Sequence, residues 1–76
     1  MRRDDALLDD MLHAAERIER YIAGMARESF LADEKTQAAV ARDIAIMGEA
    51  ASRVSDDQKS AHPEVPWRDL ADLRNF

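Results

Sequence analysis

The sequence predicts an all-α domain, an antiparallel helical bundle of two long helices with a third packed across them. Three observations carry this. Apolar residues recur at three- and four-residue steps over two long stretches, the signature of amphipathic helices. The 76 residues contain only two glycines and two prolines, too few for a β-rich or disordered chain. Apolar residues make up 46% and charged ones 36%, so the apolar side chains must be gathered on narrow faces.

The first helix is predicted from about Asp4 to Arg27. Leu8, Met11, Ala15, Ile18, Ile22 and Met25 form its main stripe, and Leu7, Ala14 and Tyr21 form a second one beside it. The combined face is wide enough to touch two neighbours. Asp4 and Asp5 sit at the amino end, where the helix dipole favours anions. Ser29 to Ala32 reads as a turn with Phe30 and Leu31 tucked inward. Asp33 is an N-cap for a second helix that runs to about Val54. Its stripe is Val40, Ala41, Ile44, Met47, Ala51 and Val54, widened by Ala39, Ile46 and Ala50. Gly48 lies in mid-helix at a cost of ~1 kcal/mol relative to alanine. Either another backbone approaches closely there, or the glycine is tolerated on an exposed face.

Ser55, Asp56 and Asp57 cap a short helical turn reaching about Ala61. His62 to Pro66 is expected to be extended, because each proline biases its predecessor away from the helix. Pro66 suits the first turn of a third helix, which Trp67, Leu70, Ala71 and Leu73 continue. That helix is still in full stride at Arg74, Asn75 and Phe76, so the bundle is expected to be incomplete at its C-terminus.

Composition narrows the function. With no cysteine there is no disulfide framework and no thiolate metal site. No apolar run approaches membrane-spanning length, so no membrane partner is expected and a cytoplasmic location is the default. The formal charge of −5 argues against a general electrostatic grip on nucleic acid, though it permits a local basic site. A chain this short buries only ~60% of its unfolded surface, which makes a partner chain expected. The two stripes of the first helix point to a homodimer, with the first or second helix near the interface.

Few residues offer chemistry. There is no glycine-rich phosphate loop and no assembled nucleophilic triad, and nothing suggests a metal or an organic cofactor. His13, with Asp9 and Arg17 four residues to either side, reads as a solvated cluster, and His62 as a loop residue on the surface. Asp4, Asp5, Asp9 and Asp10 are read as helix-end electrostatics ahead of a cation site. Arg42, Glu49 and Arg53 share one face of the second helix. They form either a surface ion-pair ladder or a polar stripe in which Glu49 orients Arg74.

Several segments carry a resemblance. Ile46-Met47-Gly48-Glu49-Ala50-Ala51 is followed by Pro63-Glu64-Val65-Pro66-Trp67 and then by Leu73-Arg74-Asn75. Asp33-Glu34-Lys35-Thr36-Gln37 with Ala39-Val40 opens the helix that carries the first of these. In order and spacing this set resembles the HepT-like proteins of the HEPN superfamily, and the resemblance covers nearly the whole chain. It implies an all-helical homodimer that acts as the toxin of a toxin–antitoxin pair. The implied activity is metal-independent cleavage of RNA, with transfer RNA the expected target. The implied partner is an MntA-like nucleotidyltransferase antitoxin, which silences the toxin by attaching AMP.

The family signature is Arg-x4-His-x-Tyr. Arg74 matches its arginine and Asn75 the polar residue after it, so the implied catalytic residues are Arg74 and Asn75, with Glu49 in support. The histidine and tyrosine would fall beyond Phe76, and the chain as it stands is expected to be inactive. Asp72 stands where many relatives have glycine, which puts a carboxylate two residues before the arginine. The competing reading is a non-catalytic helical dimer that binds a nucleotide or a partner.

Overall fold

A computed structural model describes residues 2–75. Five α-helices follow in order: α1 (Arg2–Ile22), α2 (Arg27–Leu31), α3 (Glu34–Arg53), α4 (Asp56–Ala61) and α5 (Trp67–Asp72). A 3-10 turn over Leu73–Asn75 closes the described chain. There is no strand among the described residues, and the fold is the all-α antiparallel bundle that the periodicity predicts. The molecule is elongated, 42 × 20 × 18 Å, because the two long helices lie side by side.

The α1–α3 seam runs antiparallel and is tied at both ends. At one end Asp4 accepts hydrogen bonds from the Ser55 amide at 2.9 Å and the Ser55 hydroxyl at 2.6 Å. At the other, Arg17 on α1 reaches Asp43 on α3. Between them Leu7 packs with Ala50 and Val54, and Leu8, Met11 and Trp67 pack around that cluster; Ala14 and Ala51 are buried as well. The deepest apolar positions on α1, Leu7 and Ala14, thus belong to the second stripe, whose Tyr21 is exposed; the main stripe is half-buried from Leu8 to Ile18 and exposed at Ile22. The residues at the seam step by three and four, as in coiled-coil-like packing.

Helix α1 ends at Ile22, five residues before the predicted boundary at Arg27. Gly24 takes a left-handed φ of +71°, and the Met25 amide donates to the Ile22 carbonyl at 2.9 Å, which closes the helix end. The predicted turn at Ser29–Ala32 is instead mostly the helical turn α2. Phe30 is half-buried, but Leu31 is 61% exposed and does not tuck inward. The Gln37 side chain donates to the carbonyls of Phe30 and Leu31 at 2.8 and 2.9 Å, the first of which also accepts from the Asp33 amide at 3.1 Å.

Asp33 caps α3 as expected, accepting from the Thr36 amide at 3.0 Å and the Thr36 hydroxyl at 2.7 Å. The Thr36 amide first, and then the hydroxyl, hold its carboxyl below the ordinary value of 3.8. Ser55 caps α4 by accepting from the Gln58 amide at 3.2 Å. The connector after α4 is not extended. The Val65 amide folds back to the His62 carbonyl at 3.2 Å, and the Trp67 indole Nε1 donates to the same carbonyl at 3.0 Å. This knot sets where α5 begins. The third helix also does not run on unbroken: it tightens into the 3-10 turn at Leu73. Phe76, on which the expectation of an incomplete bundle rested, lies outside the described residues.

Candidate functional site

The site is built on Gly48. Helix α5 and the 3-10 turn cross α3 there, and a Cβ on residue 48 would stand 3.0 Å from the Leu73 carbonyl carbon and 3.1 Å from the Arg74 Cα. The Arg74 amide nitrogen lies closer still. Of the two readings of Gly48, close backbone approach is the one observed. Only a residue without a side chain lets the Arg74 backbone rest on α3. Seated in this way, Arg74 and Asn75 are both exposed, with their backbone fixed and their side chains at the surface.

The remaining candidates are placed as follows. Glu49 is exposed on α3 next to Gly48, and its carbonyl accepts from the Ser52 hydroxyl at 2.7 Å. No hydrogen bond or ion pair among the described residues joins it to Arg74. Arg42 and Arg53 are also exposed, and the ion-pair ladder of Arg42, Glu49 and Arg53 is not formed among the described residues. His13 is exposed on α1 and does not share a cluster with Arg17, whose guanidinium turns to Asp43 instead. His62 is exposed in the connector, with Nδ1 3.3 Å from Glu64. The Glu64 carboxyl is held below its ordinary value chiefly by its own backbone amide.

Of the N-terminal acids, Asp4 is buried and bound to Ser55. The Ser55 hydroxyl, with the Ser55 amide second, holds the Asp4 carboxyl below its ordinary 3.8. Asp4 is therefore a structural tie, and no group of acids or histidines among the described residues is arranged to hold a metal ion.

The sequence reading missed Asp43. It is fully buried, and its Oδ1 accepts from Arg17 Nε at 2.9 Å and Nη2 at 2.8 Å, while Oδ2 has no partner. The hydrogen-bonded Asp43 carboxylate raises the Arg17 pKa above its ordinary value. One signal was available: Asp43 stands four residues before Met47 and seven before Ala50, in the apolar seam of α3, where an acid needs a facing cation.

A profile of the ribonuclease HepT-like family matches residues 11–76. The chain belongs to the ribonuclease HepT-like family. It is 44% identical over 68 residues to a probable ribonuclease HepT of Thermococcus cleftensis, a match covering 90% of this chain and 62% of that protein. It is 37% identical over 70 residues to a putative RNase of Methanocaldococcus jannaschii, covering 92% of this chain and 58% of the relative. A second putative RNase of the same organism is 30% identical over 71 residues, covering 93% and 65%. The chain thus spans about three fifths of the length of the relatives it matches. No solved structure matches it significantly. As a member of this HEPN-type ribonuclease family it carries the Gly48-Glu49 helix, the Pro66-Trp67 connector and Arg74-Asn75 on one continuous piece of structure.

Proposed function

We propose that this chain is the ribonuclease component of a toxin–antitoxin pair, with Arg74 at the scissile phosphate and Asn75 beside it. The observation that supports this most strongly is the seat of Arg74 on Gly48. The guanidinium of a family-signature arginine is presented from a fixed backbone and takes part in no ion pair among the described residues.

Cleavage of RNA by its own 2′-hydroxyl needs two things. One is a cation fixed at the phosphate as charge builds on its oxygens, which the planar fork of arginine supplies. The other is a group that titrates near neutrality to move the proton, which histidine supplies. These 76 residues hold the first. The histidine of the family signature would follow Arg74 by five residues, about 140° further round a helix. A helix lining a groove brings both to one substrate. Exposed His13 and His62 lie on α1 and in the connector, so neither replaces it at that spacing.

The proposal includes a homodimer. The chain exposes 5607 Å², against about 4,700 Å² for a compact monomer of this mass. That excess reflects the elongated 42 × 20 × 18 Å shape, which leaves a long side open to a partner. An open apolar groove of about 470 Å³, lined by Phe30, Leu31, Val40, Ile44 and Leu73, supports a second copy as its cover. The proposal further includes transfer RNA as substrate, silencing by AMP transfer from a nucleotidyltransferase antitoxin, and a cytoplasmic location. No helix among the described residues is long and apolar enough to cross a membrane.

The test is expression of a version extended to complete Arg-x4-His-x-Tyr, with bulk transfer RNA and a chelator in vitro. Cleavage in the chelator, with growth arrest relieved by a co-expressed nucleotidyltransferase, is the expected result, and the 76-residue chain alone should cleave nothing. An extended version that leaves RNA intact contradicts the reading.

A further inference from the structure

We propose that the depression beside Arg74 is a second phosphate-binding subsite, where Lys59 and Arg68 hold the RNA strand next to the phosphate at Arg74. It rests on the ribonuclease reading above and adds residues that the family signature does not contain. The depression has a volume of about 440 Å³, and Ser52, Lys59, Trp67, Arg68, Asp72 and Arg74 line it. That is within the ~300–1,000 Å³ of small-ligand sites.

Charge makes this hollow unlike the rest of the molecule. The chain carries 16 acidic and 11 basic residues, yet three cations and one carboxylate meet here. None of Lys59, Arg68 and Arg74 forms an ion pair among the described residues, although Asp72 shares the depression. In a chain with an acidic excess, cations gathered without carboxylate partners leave a local positive field, and that field attracts an anion.

Position favours a strand of phosphates over a single small anion. Lys59 comes from α4, Arg68 from the first turn of α5 and Arg74 from the 3-10 turn, so three successive elements each bring one charge to the same depression. Trp67 fixes their spacing. It is half-buried against the Leu7, Ala50 and Val54 cluster, and its Nε1 is bonded to the His62 carbonyl at the end of α4. The α4–α5 connector is therefore pinned in place, and Lys59 and Arg68 are held relative to one another. Three cations on separate elements around one depression that includes Arg74 are suited to successive phosphates of a phosphodiester backbone.

The experiment titrates the 76-residue chain against a short fluorescein-labelled oligouridylate, with anisotropy as readout, at salt from 50 to 200 mM. Three phosphate contacts give a slope of log K against log salt of about −2, since each contact on a single strand contributes about −0.7. Lys59→Ala with Arg68→Ala should bring the slope to about −0.7 with the helical circular dichroism unchanged. The exposed pair Arg20→Ala with Arg27→Ala, at the far end of α1 and on α2, should leave it at about −2. Equal slopes for the two double variants, or no salt-dependent binding, overturn the subsite. Arg74→Ala separates this inference from the reading beneath it. If Arg74→Ala weakens binding and the Lys59–Arg68 pair does not, the subsite falls and the ribonuclease reading stands. If the pair lowers the slope and Arg74→Ala does not, the subsite stands and the placement of Arg74 at a phosphate falls.

Discussion

The backbone of Arg74 occupies the place where a side chain on Gly48 would be. One residue of α3 thus sets the position of Arg74, 26 residues later in the chain, through its backbone. In this family member the glycine next to Glu49 and the arginine next to Asn75 are two halves of one contact.

Gly48→Ala should accordingly lower the melting temperature, although alanine gains ~1 kcal/mol of helix propensity over glycine. The new Cβ meets backbone, which cannot swing aside as a flexible side chain does. Gly48→Leu should cost ~1–3 kcal/mol through overpacking. Gly24→Ala is the useful contrast. No atom lies within 4 Å of a Cβ there, and the cost comes only from the φ of +71°. It should destabilise the end of α1 and leave the amide chemical shifts of Arg74 and Asn75 in place, whereas both Gly48 variants should move them. A raised melting temperature for Gly48→Leu would contradict the close approach.

The Arg17–Asp43 tie makes a second prediction. Asp43 is fully buried and Arg17 is the only cation bonded to it among the described residues. Arg17→Met should destabilise strongly, because it leaves a buried carboxylate without its partner. Arg17→Met combined with Asp43→Leu should recover most of that loss, since the pair is then replaced by apolar packing. Chemical denaturation of the two single variants and the double one checks this. Additive losses would show that the two residues act independently.

The Asp4–Ser55 tie makes stability depend on pH. A carboxyl whose folded value is lowered stabilises the fold fully above its ordinary value and loses that contribution as pH falls through the folded value. For Asp4 the ordinary value is 3.8, so the loss lies below about pH 4. Asp33 acts in the same direction at the start of α3. Thermal melts from pH 6 downward should be flat to about pH 4 and then fall, and Asp4→Asn should fall less steeply. Ser55→Ala removes the hydroxyl that donates to Asp4 and caps α4, and leaves the amide bond to Asp4 in place. It should cost at least ~1 kcal/mol at neutral pH.

What could be read from the sequence followed from what each signal encodes. Periodicity marked α1 and α3, and side-chain caps marked the starts of α3 and α4, because Asp33 and Ser55 act within three residues of themselves. The tight contact at Gly48 was legible because glycine in mid-helix is costly and needs a reason. The end of α1 was not, since a single glycine in a helical pattern does not announce a positive φ. Nor was the α4–α5 knot, which depends on the Trp67 indole reaching a carbonyl five residues earlier. Asp43 was missed for a related reason: its partner is 26 residues away on another helix. Arg74 and Asn75 were found through family likeness, and Lys59 and Arg68 came into view only through the depression they line together.

Assembly gives a further test. The exposed apolar residues Leu12, Tyr21, Ile22 and Leu31 and the groove beside Phe30 are expected to be covered in a homodimer. Sedimentation at micromolar concentration should show a dimer, and Leu31→Asp should shift it toward monomer with the helix content kept. A stable, well-folded monomer for the unaltered chain would contradict the homodimer.

The central claim is that Arg74 is the group that holds the phosphate, and the cleavage rate of the signature-completed chain tests it most directly. With transfer RNA in a chelator, Arg74→Ala should lower the rate ~10²–10³-fold, the loss of one positioned charged donor. Arg74→Lys should recover only part of it, because lysine keeps the charge without the bidentate fork. Circular dichroism should be the same for all three proteins. Cleavage that persists in Arg74→Ala at the unaltered rate would contradict the account and place the reacting phosphate elsewhere on the molecule.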